Sequence, residues 1–457
     1  MGNLKSKLQR SIQISEKSIY ERWFGIRHVI TPGYLWDTAT GGGYLPAEVI
    51  ETMDDAAKYK IHMTELLEQS GEIAANIVGS EAAFITSSDC AALTLGAAAM
   101  ISGKDPAKMN QLPDTEYPVK LRNQLITQIG MYEYYANSFR VAGAKLLRVG
   151  GGEFSLYKEY NPETMKIKAK GISISPEEIE EAISERSAGI IAAVHCSLSV
   201  PPPCTVSVEE IVKIAKKYKI PTMVDAPHVL VAGGESGRAF LRKYLDMGVD
   251  LVCASGGKAL DGPNDTGIIY GKKDLVEAAA LQGSPGKDIA RRYVDLGIKL
   301  NVGFIETTSR RCIALGRGFK VSKEQIVGFV AALKRYVAMD DKAITVRDMG
   351  ICNWMADQFK NFPYVKAVGV TEEADWPNDN MFEGGPSCIL EIDEESLNIK
   401  LTDLPKLMWE GNPHIDINAS NLMLAPWGKL QLFSHGLREG EEEIVVERLK
   451  RILTSEL

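Results

Sequence analysis

The spacing of apolar residues divides the chain into helical stretches and short buried runs. Between residues 46 and 79, apolar side chains recur at helical spacing, for example at Ile50, Met53 and Leu66. Such spacing places the apolar side chains on one face of a helix, so the pattern predicts one long helix here. A polar amphipathic helix is predicted before it, at 10–28.

From residue 81 onward, short apolar runs alternate with longer amphipathic stretches. The runs predict strands at 82–86, 124–128, 144–149, 189–194, 222–225, 251–254 and 267–270. The stretches predict helices at 90–101, 132–142, 176–186, 208–218 and 238–247. This alternation favours an α/β fold with a mainly parallel sheet and helices on both faces. In such sheets ligands bind beyond the C-terminal ends of the strands, so the residues after each run are the candidates for function.

A long helix at 323–339 and a final helix at 441–453 enclose a region of apolar alternation. We therefore expect an N-terminal helix and loop at 1–45, a large domain at 46–324 and a smaller α+β domain at 325–457.

Composition and charge argue against a membrane-spanning protein and a nucleic-acid-binding protein. The chain has 457 residues, 45% of them hydrophobic and 25% charged, which is typical of a globular protein. No apolar run approaches the ~20 residues of a membrane span, and the net charge of −8 argues against a nucleic-acid partner. Its seven cysteines form no C-x-x-C pair. We expect reduced thiols, a cytoplasmic protein and no metal site.

Two common phosphate-binding fingerprints, G-x-x-x-x-G-K-[ST] and G-x-G-x-x-G, are absent from the sequence. A different anion site is indicated by Thr86-Ser87-Ser88-Asp89-Cys90, between a predicted strand and a helix of small residues. Hydroxyls and free N–H groups at a helix start bind anions. The same residues also suit an ordinary helix cap. Because a carboxylate beside a phosphate is unfavourable, we expect Asp89 to face away from it.

Three further strand ends carry polar groups. Lys258 follows one strand within a Gly-rich loop, where a desolvated amine can form a Schiff base with a carbonyl. Asp225 ends another strand 33 residues earlier, and is either a cap or the partner of a pyridine nitrogen. His195 ends a third strand, where a structural role is equally plausible. A phosphate seat, an acid and an amine at one edge are what pyridoxal 5′-phosphate (PLP) requires.

Four stretches carry a family resemblance. They are Leu66-Leu67 with 77–83, the strand end 194–197, Ser255-Gly-Gly-Lys258 with 259–273, and the segment 316–333 at the domain junction. From about residue 27 to the C-terminus the sequence resembles PLP-dependent enzymes of fold type I of the selenocysteine synthase (L-seryl-tRNA(Sec) selenium transferase) family. It is most similar to tRNA-independent relatives such as D-glucosaminate-6-phosphate ammonia-lyase.

The resemblance implies an aspartate-aminotransferase-like fold with PLP bound to Lys258. It implies catalytic roles for Lys258, Asp225 and His195. The other expected cofactor-binding residues are Ser87, Ser88, Asp89, Cys90, Ser197, His228 and Ser255. Expected substrate-binding residues are Arg317, at the domain junction, and Tyr34 and Thr38, in a second Gly-rich loop at 30–43.

The expected reaction is that of a PLP-dependent lyase. Removal of the Cα proton of an amino acid or amino sugar acid, followed by β-elimination, would release ammonia and a keto acid. A racemase, an aminotransferase, a selenocysteine synthase-type transferase and a non-catalytic PLP-fold binding protein are the alternatives. The family's tRNA-handling N-terminal domain has no counterpart before Arg27. We therefore expect a small amino acid-like substrate, no nucleic acid or membrane partner, and a homo-oligomer of at least two subunits.

Overall fold

The computed structural model describes most of the chain. The described residues are 17–33, 38–128, 135–150, 174–192, 205–228, 233–283, 315–370, 385–397, 399–418, 420–422 and 424–454, with the backbone alone at 157–161, 166–170, 193–194, 371, 374–375 and 383–384. They form two compact units. The larger comprises Gly41–Asp341 and Trp376–Phe382, and the smaller comprises Met1–Thr40, Lys342–Asp375 and Glu383–Leu457.

The larger unit contains a sheet of seven strands within the described residues, flanked by helices. The strands are β2 (Ala82–Thr86), β3 (Gln124–Gln128), β4 (Lys145–Val149), β7 (Ser187–Val194), β8 (Thr222–Asp225), β9 (Leu251–Ser255) and β10 (Gly267–Gly271). Three other strands lie outside this sheet: β1 (Val29–Ile30) and the hairpin of β5 (Tyr157–Asn161) and β6 (Lys166–Lys170). Their order is β2-β10-β9-β8-β7-β3-β4. Six of these seven strands run in the same direction, and β10 runs in the opposite direction. The parallel sheet predicted from the alternating pattern is therefore confirmed.

The helices described up to Ala338 mostly match the predicted positions, and all but the first belong to the larger unit. They are α1 (Ile19–Phe24), α2 (Ala47–Ala57), α3 (Met63–Val78), α4 (Asp89–Ser102), α5 (Pro106–Gln111), α6 (Ala136–Val141), α7 (Pro176–Glu181), α8 (Val208–Tyr218), α9 (Gly234–Met247), α10 (Lys273–Gln282) and α11 (Lys323–Ala338). No helix in the described residues is long and apolar enough to cross a membrane. Helix α11 packs against α2, α3 and α9. The predicted domain boundary after residue 324 falls in the first turn of this helix, whereas the boundary between the compact units follows it.

The single helix predicted at 46–79 is wrong. The chain forms α2 and α3, separated by Lys58–His62, whose side chains are all exposed. The apolar residues Tyr59 and Ile61 in this break are exposed, so no buried face continues from α2 to α3.

The smaller unit has its own core. A three-stranded antiparallel sheet joins β11 (Val365–Thr371), β14 (Ser387–Ile392) and β16 (Lys429–Phe433). The short strands β12 (Ala374–Asp375) and β13 (Glu383–Gly384) pair with each other, and β15 (His414–Ile415) pairs with β1. Its helices are α12 (Asp341–Phe359), α13 (Glu394–Leu397), α14 (Leu404–Trp409) and α15 (Glu441–Leu453). Buried residues of α12 and α15 join those of the sheet in one apolar cluster.

Candidate active site

The predicted functional residues of the larger unit meet at one edge of the sheet. Thr86 ends β2, Ser255 ends β9 and Asp225 ends β8. Thr86 and Ser255 both lie opposite Gly267 of β10, one on each side. Since β2, β8 and β9 run in the same direction, their C-terminal ends share this edge.

The turn between β2 and α4 caps the helix. The Oγ of Ser88 accepts a hydrogen bond from the Ala91 N–H at 3.0 Å, and the Oγ1 of Thr86 donates to the carbonyl of Ser88 at 2.7 Å. Ser88 thus acts as the helix cap, and the anion site at this segment stays a prediction. Ser87 makes no side-chain hydrogen bond within the described residues, and the N–H groups of Asp89 and Cys90 find no acceptor there.

A close contact with β10 fixes this turn. A Cβ added to Gly267 would lie 2.5 Å from the Ser88 carbonyl carbon and 2.6 Å from the Asp89 nitrogen. Only glycine therefore lets the start of α4 rest on the sheet. Gly267 is not among the site residues predicted from the sequence, although a glycine in a buried strand is a recognised sign of close backbone approach.

The lysine loop is packed just as tightly. A Cβ on Gly256 would lie 2.1 Å from the Thr266 Oγ1, and one on Gly257 would lie 2.3 Å from the Asn264 Cα. The Gly256 N–H donates to the Thr266 carbonyl at 2.9 Å, and the Gly43 N–H donates to the Gly257 carbonyl at 3.4 Å. Lys258 is half-buried in this loop. The flanking glycines thus let the loop fold closely around the base of the lysine.

Two buried carboxyl groups face each other beside Lys258. Asp225 is 0% exposed and Asp89 is 8% exposed. Burial raises the pKa of Asp89 to about 6, against the lowering effects of its interaction with Asp225 and of the charge of Lys258. Burial also raises the pKa of Asp225 well above its usual range, and the neighbouring Asp89 raises it further while Lys258 lowers it. Burial therefore makes both carboxyl groups harder to ionise than exposed aspartates.

The remaining predicted residues are less closely connected. His228 is buried three residues after Asp225, and Cys90 is exposed at the start of α4. Arg317 is exposed in a 3₁₀ turn, Leu315–Phe319, that packs against α4 and α10, and no ion pair joins it to another described residue. Thr38 is exposed in the smaller unit, in the 3₁₀ turn Thr38–Thr40. His195, Ser197 and Tyr34 lie outside the described residues.

Taken together, the edge offers three chemical groups. Free N–H groups at the start of α4 can bind an anion. Neither oxygen of Asp225 accepts a hydrogen bond from the described residues. This buried carboxyl can therefore pair with a cationic nitrogen. Lys258 supplies an amine whose positive charge lowers the pKa of both carboxyl groups.

Comparison with known proteins identifies the relatives of this chain. The family model for L-seryl-tRNA selenium transferase, SelA, matches residues 174–291. A 5'-C-glycyluridine monooxygenase-decarboxylase from Streptomyces sp is 24% identical over 91% of this chain and 88% of its own length. D-glucosaminate-6-phosphate ammonia lyase from Salmonella typhimurium (strain 14028s / SGSC 2262) is 23% identical over 70% of each chain.

A solved structure shares the fold. The structure of D-glucosaminate-6-phosphate ammonia-lyase superposes with a TM-score of 0.71 at 21% identity, covering 96% of this chain and 99% of the other. The predicted fold class, the type I fold of PLP-dependent enzymes, is therefore confirmed. The resemblance to the selenocysteine synthase family and its ammonia-lyase relatives is confirmed as well.

Proposed function

We propose that the protein is a PLP-dependent lyase that releases ammonia and a keto acid from an amino acid or amino sugar acid. The observation that supports this most directly is Asp225, a fully buried carboxyl group without a donor at the strand edge that also carries the Lys258 loop. An unpartnered buried carboxyl is costly unless a cation joins it. A protonated pyridine ring is such a cation.

The described residues fit PLP at three points. The free N–H groups of Asp89 and Cys90, with the Ser87 hydroxyl, would hold the phosphate at the start of α4. Asp225 would hold the ring nitrogen, and the Lys258 amine would hold the aldehyde carbon. When bound, PLP supplies an electron sink for the pair of electrons left at the substrate Cα.

The chain's own groups would move the protons. The Lys258 amine would remove the substrate Cα proton, and its half-buried position limits competition from water. The Asp225 carboxylate would keep a proton on the ring nitrogen, which increases the pull on the Cα electrons. Loss of the β-substituent and addition of water at the carbon that bears nitrogen would then yield the keto acid and ammonia.

The other predicted residues have roles that remain proposals. Arg317 would bind a substrate carboxylate or phosphate, for which its exposed guanidinium is suited. Thr38 and Tyr34 would contact the substrate. His195 and Ser197, which follow β7 in the sequence, and Ser255 and His228 would contact the cofactor.

The decisive test is a substrate panel. Purified protein loaded with PLP would be incubated with D- and L-amino acids and with phosphorylated and unphosphorylated amino sugar acids, and ammonia and keto acid would be measured. Equal release of both from at least one compound supports the lyase. Inversion of configuration without ammonia would instead identify a racemase, and transfer of nitrogen to an added keto acid would identify an aminotransferase. Failure of the protein to bind PLP would support a non-catalytic role.

Oxidative decarboxylation is the second candidate. It is favoured by the similarity to the Streptomyces monooxygenase-decarboxylase, which extends over 91% of this chain. The same panel distinguishes the two, because decarboxylation by a monooxygenase consumes O₂ and releases CO₂. Substrate turnover that continues unchanged under argon would exclude this candidate.

We also propose that the substrate is a small molecule rather than a charged tRNA, and that the protein is a cytoplasmic homo-oligomer. The net charge of −8 supports the first point. In a gel-shift titration, specific and salt-sensitive binding of a selenocysteine tRNA would contradict it and restore the selenium-transferase function. Sedimentation at two protein concentrations would test the oligomer.

A further inference from the structure

The lysine loop, residues 256–262, is closed by its own backbone. The Asp261 N–H donates a hydrogen bond to the Lys258 carbonyl at 2.8 Å, and the Gly262 N–H donates to the Gly256 carbonyl at 2.9 Å. Lys258 is therefore the first residue of a tight turn, and Asp261 is its fourth. The direction in which the Lys258 side chain leaves the loop depends on this turn.

Asp261 has an uncommon backbone conformation. Its φ is +54°, in the left-handed region that glycine adopts readily and that other residues seldom adopt. A residue other than glycine stays in this conformation only where surrounding contacts hold it there. The turn that begins at Lys258 therefore depends on contacts made by Asp261.

Helix α11 supplies such a contact. Arg335 donates a hydrogen bond from Nη1 to Asp261 Oδ2 at 3.1 Å. A Cβ on Gly262, the next residue of the loop, would lie 3.3 Å from the Ala332 Cβ of the same helix. Ala332 and Arg335 are three residues apart, so they share one face of α11. The side chains of Arg335 and Asp261 are 29% and 26% exposed, so water screens their ion pair less than one on the open surface.

Arg335 also has a second acidic partner. Its Nε lies 3.2 Å from Oε1 of Glu48, which belongs to α2 and not to the lysine loop. The Glu48 side chain is 61% exposed. One ion pair of this arginine thus reaches the turn at Lys258 and the other does not, which provides a control within the same side chain.

We propose that Arg335 is a positioning residue for the lysine amine: by holding Asp261, it fixes the turn that directs Lys258 toward the cofactor aldehyde. This inference rests on the proposed function, because it assumes that PLP forms a bond to Lys258. Arg335 contacts neither substrate nor cofactor and acts through Asp261. Without its guanidinium, Asp261 leaves the left-handed conformation more often and the amine points in more directions. The bond between amine and aldehyde, which forms with loss of one water molecule, then becomes less favourable.

The test compares two ligands that differ in this one bond. Pyridoxine 5′-phosphate has the ring and phosphate of PLP but carries an alcohol in place of the aldehyde, so it forms no bond to Lys258. In Arg335→Gln, the dissociation constant of PLP should rise about tenfold, as expected for one lost hydrogen bond between charged groups. That of pyridoxine 5′-phosphate should stay within about twofold of wild type, because its contacts do not include the lysine amine. A purely structural role would weaken both ligands.

A double-mutant cycle tests whether Arg335 acts through Asp261. Asp261→Ala removes the carboxylate and disfavours the left-handed conformation, so it should also weaken PLP binding and spare pyridoxine 5′-phosphate. The double variant Asp261→Ala/Arg335→Gln should bind PLP no more weakly than Asp261→Ala alone, because both changes break the same contact.

Two control variants leave the contact with Asp261 in place. Glu48→Gln breaks the other ion pair of the same arginine. Arg242→Gln removes an arginine of α9 that donates to the Gly79 carbonyl and to Asp246. Both should bind PLP within about twofold of wild type, as expected for exposed ion pairs. Urea unfolding of each apoprotein verifies that every variant is folded under the conditions of the titration.

The wild type and the variants test different statements. Equal weakening of both ligands in Arg335→Gln, unchanged PLP affinity in that variant, or additive losses in the double variant would overturn the inference and leave the proposed function intact. A wild type that binds neither ligand would overturn the proposed PLP function together with this inference. A wild type that binds both ligands equally well would refute the bond to Lys258, on which both depend.

Discussion

Replacement of Gly267 by alanine should displace the proposed phosphate-binding turn at the start of α4, because Gly267 packs against its backbone. The new Cβ would lie 2.5 Å and 2.6 Å from backbone atoms of Ser88 and Asp89, whereas ordinary contact begins at 3.4 Å. The start of α4 must therefore retreat by 0.8–0.9 Å, because backbone atoms cannot rotate away. Overpacking of this kind costs about 1–3 kcal/mol of unfolding free energy.

The same displacement should weaken cofactor binding, because the N–H groups of Asp89 and Cys90 move with the helix start. Loss of one charge-assisted hydrogen bond, about 1.5–3 kcal/mol, corresponds to roughly a ten- to hundredfold rise in the dissociation constant of PLP. Urea unfolding of the apoprotein and a fluorescence titration with PLP would measure the two effects separately.

Gly350→Ala is the matched control. This exposed glycine lies within α12, and an added Cβ would meet no atom within 4 Å. Alanine there should stabilise the helix by up to about 1 kcal/mol and leave PLP affinity unchanged. If Gly267→Ala matched this control in both stability and PLP affinity, the contact between β10 and the start of α4 would not position the proposed phosphate-binding turn.

Three further predictions concern individual side chains of the site. Borohydride reduction of the PLP-loaded protein, followed by peptide mapping, should label Lys258, and a label on Lys272 instead would refute the assignment. Asp225→Asn should fold and bind PLP, but its activation free energy should rise by several kcal/mol, where about 1.4 kcal/mol corresponds to a tenfold loss of rate. Near-normal turnover of this variant would contradict the role of Asp225. Ser88→Ala should lose about 1 kcal/mol of stability through the helix cap, whereas Ser87→Ala should leave stability unchanged and weaken PLP binding about tenfold or more. Equal stability of the two serine variants would argue against the cap.

Much of the fold was predictable because the strands of the main sheet are buried. The runs at β2, β3 and β8 match the predicted limits, since each is a short apolar segment between turn residues. Asp225 was recognisable because a single acid ending such a run is conspicuous. The hairpin of β5 and β6 was missed, since its strands carry charged residues without an apolar run.

The carboxyl pair could not be read from the sequence. Asp89 and Asp225 belong to different βα turns, and their approach depends on the insertion of β10 between β2 and β9. The expectation that Asp89 faces away from the phosphate remains a prediction, but its side chain lies buried against Asp225. Tertiary structure, rather than local sequence, decides which of several helix-start roles an aspartate takes.

The antiparallel strand β10 also sets the order in which the protein is completed during synthesis. It is the only described strand that joins β2 to the rest of the sheet, and roughly 180 residues separate Thr86 from its partner Gly267, so this pairing is among the slow, long-range events of folding. A ribosome-bound chain that has released residue 225 but not residue 271 has both the turn after β2 and Asp225 outside the exit tunnel but lacks the strand that aligns them. The site can therefore be completed only after residue 271, about three-fifths of the way along the chain, has left the ribosome.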